Sequence, residues 1–136
     1  MTFLDTNVLV YAVDSRHPAK HAAAHSILVD ALGGDRAVIS VQVLNEFANV
    51  AMKKLQMTED EVRAYIGVFR RIRVLAPSVE SVLDALSIKK RHGIHFYDAL
   101  MLAAAESAGC SEILTEDLND GQLYGPVKAV NPFKGM

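Results

Sequence analysis

The sequence predicts a single α/β domain: a central parallel sheet of four to five short strands with helices on both faces. Three observations predict it. Short apolar runs alternate with longer segments of helical periodicity, Gly, Pro and cap signals fall between them, and 136 residues suffice for one ordinary core. No repeat, linker or low-complexity stretch divides the chain. The expected domain covers residues 1–131, with a loosely held tail at 132–136.

Thr2–Leu4 reads as a buried strand ending at Asp5, and Val8–Val13 as a short helix after a tight turn. Pro18 suits a first helical position. Ala24, Ile27, Leu28 and Ala31 then follow at i, i+3, i+4, i+7 spacing until Gly33 and Gly34 stop that helix. Ala37–Ser40 is a second strand. A helix from Val41 is supported by Leu44, Phe47, Ala48, Ala51 and Leu55. Thr58 and Glu61 form a capping-box signature for the next one, which buries Val62, Tyr65, Ile66 and Phe69.

Val74–Ala76 is a third strand, and Pro77 with Ser78 opens a helix whose expected buried stripe is Val79, Val82, Leu83 and Leu86, ending near Gly93. Phe96–Ala108 is an Ala- and Leu-rich helix closed by Gly109. Glu112–Thr115 returns to strand character. A loop with Asp117, Asn119, Asp120 and Gly121 precedes the last strand, Val127–Val130.

Composition narrows the class. Hydrophobic residues make up 51% and charged residues 22%, values of a globular chain rather than a disordered one. No basic leader and no apolar run of membrane-spanning length occurs, so a cytoplasmic protein without membrane attachment is expected. The lone Cys110 ends an Ala-rich helix with no adjoining His or basic cluster, which favours packing over nucleophilic chemistry. The net charge of −2 argues against a purely electrostatic nucleic-acid binder. Residues 53–91 nevertheless hold nine of the fourteen Lys and Arg against five acids, a local +4 beside a remainder of −6. Such a basic middle is either a set of solvated helix faces or a means of drawing a polyanion toward the acids.

Four acids stand out: Asp5 in FLDTN, Glu46 in VLNEF, Asp98 in FYDAL and Asp117 in LTEDLNDG. Each alone has an ordinary explanation as a helix cap, a turn residue or a solvated helical acid. In an open α/β sheet, however, ligands gather beyond the carboxyl ends of the strands. Asp5 and Asp117 follow predicted strands there, while Asp98 and Glu46 lie in the first and second turns of helices that can face the same edge. Carboxylates so gathered repel one another unless protonated or neutralised by a hard cation such as Mg²⁺ or Mn²⁺.

In order and register, FLDTNVLVYAVD, VLNEF, FYDALMLAAA and ILTEDLNDG resemble the acidic motifs of PIN-domain nucleases, notably VapC-type toxins of toxin–antitoxin pairs. The resemblance spans nearly the whole chain. It implies a PIN-like domain with Asp5, Glu46, Asp98 and Asp117 around Mg²⁺ or Mn²⁺, and a metal-dependent endoribonuclease acting on single-stranded or structured RNA. Asp5 and Asp98 are the implied principal ligands, and Asp117 a ligand directly or through water. Glu46 is either a ligand of a second ion or the group orienting the attacking water. Asn7 and Thr115 match polar positions that orient these groups from behind. Asp120 stays open among a fifth ligand, a supporting acid and a turn residue. The resemblance also implies a cognate antitoxin and a homodimer.

Rival constellations are weaker. His17, His21 and His25 recur every fourth residue, but Ala22 follows His21, so the HExxH zinc pattern is absent and a surface stripe is expected. A haloacid-dehalogenase-like phosphatase would need Asp where Asn7 stands. A response-regulator receiver would need an acidic pair and a late strand-end Lys, and neither is evident. The alternative from another class is a non-catalytic PIN-like module binding RNA or protein, whose usual mark is loss of an acid.

Overall fold

The computed structural model describes residues 1–136. Twelve elements follow in chain order: β1 (Thr2–Leu4), α1 (Thr6–Val13), α2 (Pro18–Gly33), β2 (Ala37–Ser40), α3 (Val41–Lys53), α4 (Glu59–Phe69), β3 (Arg73–Leu75), α5 (Val79–His92), α6 (Phe96–Ser107), β4 (Glu112–Leu114), β5 (Leu123–Tyr124) and β6 (Val127–Val130). The sheet has six strands in the order β3-β2-β1-β4-β6-β5. All pairings are parallel except β5 with β6. The expected α/β fold is therefore present, with a two-residue antiparallel edge strand added. Two residues are too few to show periodicity, so β5 had no sequence signal.

Helix starts follow local chemistry. Asp5 caps α1 by accepting from the Thr6 amide at 2.6 Å, and Ser40 Oγ accepts from the Val43 amide at 3.4 Å to open α3. Thr58 and Glu61 complete the predicted capping box of α4, with reciprocal bonds of 3.2 and 3.0 Å. Phe3, Leu4, Val38, Ile39, Ile113, Val127 and Ala129 of the central strands are fully or almost fully buried, as sheet strands covered on both faces require.

Two expectations about packing are corrected. On α5 the supposed core stripe lies outside: Val79, Val82, Leu83 and Leu86 are 72%, 40%, 58% and 53% exposed, while Ser81, Ala85 and Ile88 are buried. α5 packs along α6, whose buried face is rich in alanine from Ala99 to Ala105, and such close approach favours small residues on both sides. The tail is anchored rather than loose. Phe133 is 2% exposed, with its ring centroid 4.9 Å from that of Tyr11.

Candidate active site

β1 and β4 are neighbours, and β1 stands where the sheet order reverses between β2 and β4. The crevice expected at that switch point opens beyond their carboxyl ends. Asp5 is the first residue past β1; its amide donates to the Leu114 carbonyl at 3.0 Å, locking it to the end of β4. Thr115 is the first residue past β4, and Asp117 follows two residues later. Asp98 enters from the first turn of α6. Carboxylate oxygens of Asp5, Asp98 and Asp117 all lie within 4.8 Å of one another.

Neutral donors hold two members of this triad, Asp5 and Asp117. Asp5 is buried, its Oδ2 accepting from the Thr115 hydroxyl at 2.6 Å and from Asn7 Nδ2 at 3.4 Å. Thr115 Oγ1 in turn accepts from the Asp117 amide at 3.0 Å. Asn7 Nδ2 also reaches Asp117 Oδ2, at 3.2 Å, so one amide spans two acids. None of the three acids has a Lys or Arg partner among the ion pairs of the fold.

The electrostatics follow from that geometry. Burial, reinforced by Asp117 and Asp98, pushes Asp5 from 3.8 up to about 7 despite the hydrogen bonds from Thr115 and Thr6 that favour its charged form. Burial and then Asp117 raise Asp98 to about 6, against an opposing pull from His95. Three carboxylates short of compensating charge fit a hard divalent cation with oxygen ligands. Asn7 Oδ1 agrees with such a fit, being buried without a donor beside the acids.

Glu46 stands at the margin of the cluster. Burial raises its pKa, with a further push from Asp117, and Gln42 Nε2 donates to its Oε1 at 2.9 Å. The same Gln42 nitrogen donates to the Tyr97 carbonyl at 3.2 Å, tying α3 to the start of α6. Gln42 lies outside the four acidic motifs, and its i, i+4 relation to Glu46 on one helix is the sequence signal that points to it. Asp120 points elsewhere: its oxygens accept from the Asn131 amide at 2.8 Å and Lys134 Nζ at 3.2 Å.

The other candidates separate from this site. His21 Nδ1 lies 2.8 Å from the Tyr11 carbonyl oxygen, and no histidine joins a metal-type cluster with other ligand side chains. Cys110 is buried, and burial raises its thiol pKa, away from reactivity. The basic middle splits in space. Arg70, Arg71 and Arg73 line an open cleft of about 670 Å³ near the amino ends of β2 and β3, whereas Lys89 borders Asp98 and Asp117.

Comparison with known proteins agrees with this geometry. The PIN domain model matches residues 2–120. Ribonuclease VapC7 of Mycobacterium tuberculosis is 27% identical over 140 aligned positions, covering 100% of this chain and 95% of the relative. Ribonuclease VapC13 of the same organism is 32% identical over 103 positions, covering 70% of this chain and 78% of the relative. A toxin–antitoxin complex from Klebsiella pneumoniae contains a chain of like fold, with TM-score 0.69, 20% identity and 98% of each chain covered. A sheet with its acids at the switch point, a family model matching most of the chain and VapC ribonucleases as relatives lead to one conclusion: this chain belongs to the PIN-domain family.

Proposed function

We propose that the protein is a Mg²⁺- or Mn²⁺-dependent endoribonuclease and the toxin of a toxin–antitoxin pair. The observation that carries this reading is the triad of Asp5, Asp98 and Asp117, whose oxygens lie within 4.8 Å of one another without a basic partner. Asp5 and Asp98 would hold the cation, and Asp117 would complete the set directly or through water. When bound, a divalent ion at such carboxylates neutralises phosphate charge and favours an activated water.

The chain's own residues do the positioning. Thr115 and Asn7 fix the carboxylate directions, and burial of Asp5 keeps competing bulk water from its inner oxygen. Glu46, with its raised pKa and its Gln42 bond, is suited to orient a water or accept its proton at the open side. Asp120 acts as a support of the loop carrying Asp117 rather than as a ligand.

RNA is the substrate favoured by the relatives' ribonuclease activity. Incubation of purified protein with labelled RNA in Mg²⁺ or Mn²⁺ should give discrete products, abolished by EDTA and by Asp5→Asn. Cleavage surviving both would reject the reading. RNA affinity without product, unaffected by substitution of all four acids, would establish the binding-module alternative. The Klebsiella relative, found in a toxin–antitoxin complex, supports an antitoxin partner here, and co-expression with the neighbouring gene should relieve growth arrest. The exposed α5 stripe supports a homodimer.

A further inference from the structure

Lys89, Gly93, Ile94, His95, Asp98 and Asp117 line one open cleft of about 420 Å³. The cleft thus brings two acids of the triad together with two side chains that the proposed reaction leaves unused. Lys89 and His95 are both exposed; Lys89 enters no ion pair, and His95 caps nothing with its ring. Between them the chain turns at Gly93, in the left-handed region at φ 66°, where other residues are strained.

The last turn of α5 carries Lys89, Lys90, Arg91 and His92, and cations there also suit the helix dipole. That general effect does not distinguish among the four. The cleft does: Lys89 alone of them borders the triad acids, whereas Arg91 lines a separate cleft with Asp84 and Glu106. His95 is also near enough to Asp98 to lower its pKa by charge attraction.

A chain of net charge −2 that cuts RNA must hold a polyanion against its own carboxylates. A cation held by the triad would neutralise the phosphate under attack, but the neighbouring phosphates of the same strand would need positive charge or hydrogen-bond donors of their own. The Lys89 ammonium and the His95 ring nitrogens, which share the cleft with the acids, answer that need. We propose that the α5–α6 corner is an RNA phosphate subsite, in which Lys89 and His95 hold the backbone phosphate adjoining the scissile one. The subsite rests on the ribonuclease reading, and both residues act by positioning rather than by chemistry.

The test is the affinity of the full chain for a fluorescent single-stranded RNA, read by anisotropy with Ca²⁺ replacing Mg²⁺ and repeated across a salt series. Lys89→Ala should weaken binding about fivefold and reduce the salt slope by about 0.7, the share of one phosphate contact. His95→Ala should weaken it in the same direction, Lys89→Arg should restore it, and Lys54→Ala, remote from the cleft, should match the wild type. In Mg²⁺, Lys89→Ala should raise KM while kcat at saturation holds. Wild-type protein that cleaves RNA while both alanine variants keep its affinity and slope overturns the subsite alone. A wild type that neither binds nor cleaves RNA overturns the ribonuclease reading and the subsite with it.

Discussion

At the scale of single residues, Asp5 concentrates the tension of the site. Its folded pKa of about 7 against 3.8 means that, between these values, the folded protein keeps a proton that the unfolded chain has released. Its contribution to stability is therefore fullest below pH 3.8 and is lost as pH rises toward 7, by up to about 4 kcal/mol. Asp98 acts in the same direction up to about pH 6, and the coupled acids share their protons. EDTA-treated protein should melt at lower temperature at pH 8 than at pH 6, and Mn²⁺ should raise the melting temperature more at pH 8. A metal-free melting temperature flat across that range, with no response to Mn²⁺, would count against this account of Asp5. Thr115→Val isolates the hydroxyl between Asp5 and Asp117 with little change of volume. It should weaken Mn²⁺ binding by about tenfold, measured by titration calorimetry, and raise the Asp5 pKa further. Unchanged affinity would mean that the hydroxyl only packs.

At the scale of elements, legibility tracked how much each segment's structure depends on its own residues. The α4 capping box is a local device and was plain in Thr58 and Glu61. The burial of α5 was not local. Apolar periodicity pointed to Val79, Val82, Leu83 and Leu86, yet the close fit against α6 selected Ser81, Ala85 and Ile88. Phe133 lay hidden for a similar reason, since one aromatic in a tail of five residues has no period; its place is made by Tyr11 on α1. Phe133→Ala should cost roughly 3 kcal/mol in urea unfolding, as truncation of a buried aromatic does. A loss below about 0.5 kcal/mol would show the tail to be dispensable.

At the scale of the molecule, the sheet order explains why acids separated by more than a hundred residues meet. Asp5 and Asp117 could be placed from sequence because each follows an apolar strand, and Asp98 because it opens a helix. The marginal position of Glu46 goes with its Gln42 link to Tyr97 across to α6, which spacing does not encode. The exposed α5 face also belongs to this scale. If it joins two copies, the double substitution Leu83→Glu and Leu86→Glu should convert the dimer to a monomer in light scattering and leave the melting temperature of the monomer within a few degrees. A wild-type monomer at micromolar concentration would refute that use of the face.

The segment Glu116-Asp117-Leu118-Asn119-Asp120 places three acids within five residues, and the fold sorts them through lysines outside the segment. Lys20 pairs with Glu116 at 3.0 Å, supported by Tyr11, and Lys134 pairs with Asp120 at 3.2 Å. Only Asp117 is left without a counter-ion of the protein's own. Any ligand this segment would supply to a cation is thus chosen by subtraction: two acids are occupied, and only the one between them is free of a counter-ion. Lys20→Ala would leave the Glu116 carboxylate, one residue from Asp117, with only its Tyr11 bond, so a lysine 96 positions away limits how many carboxylates of this segment stay uncommitted.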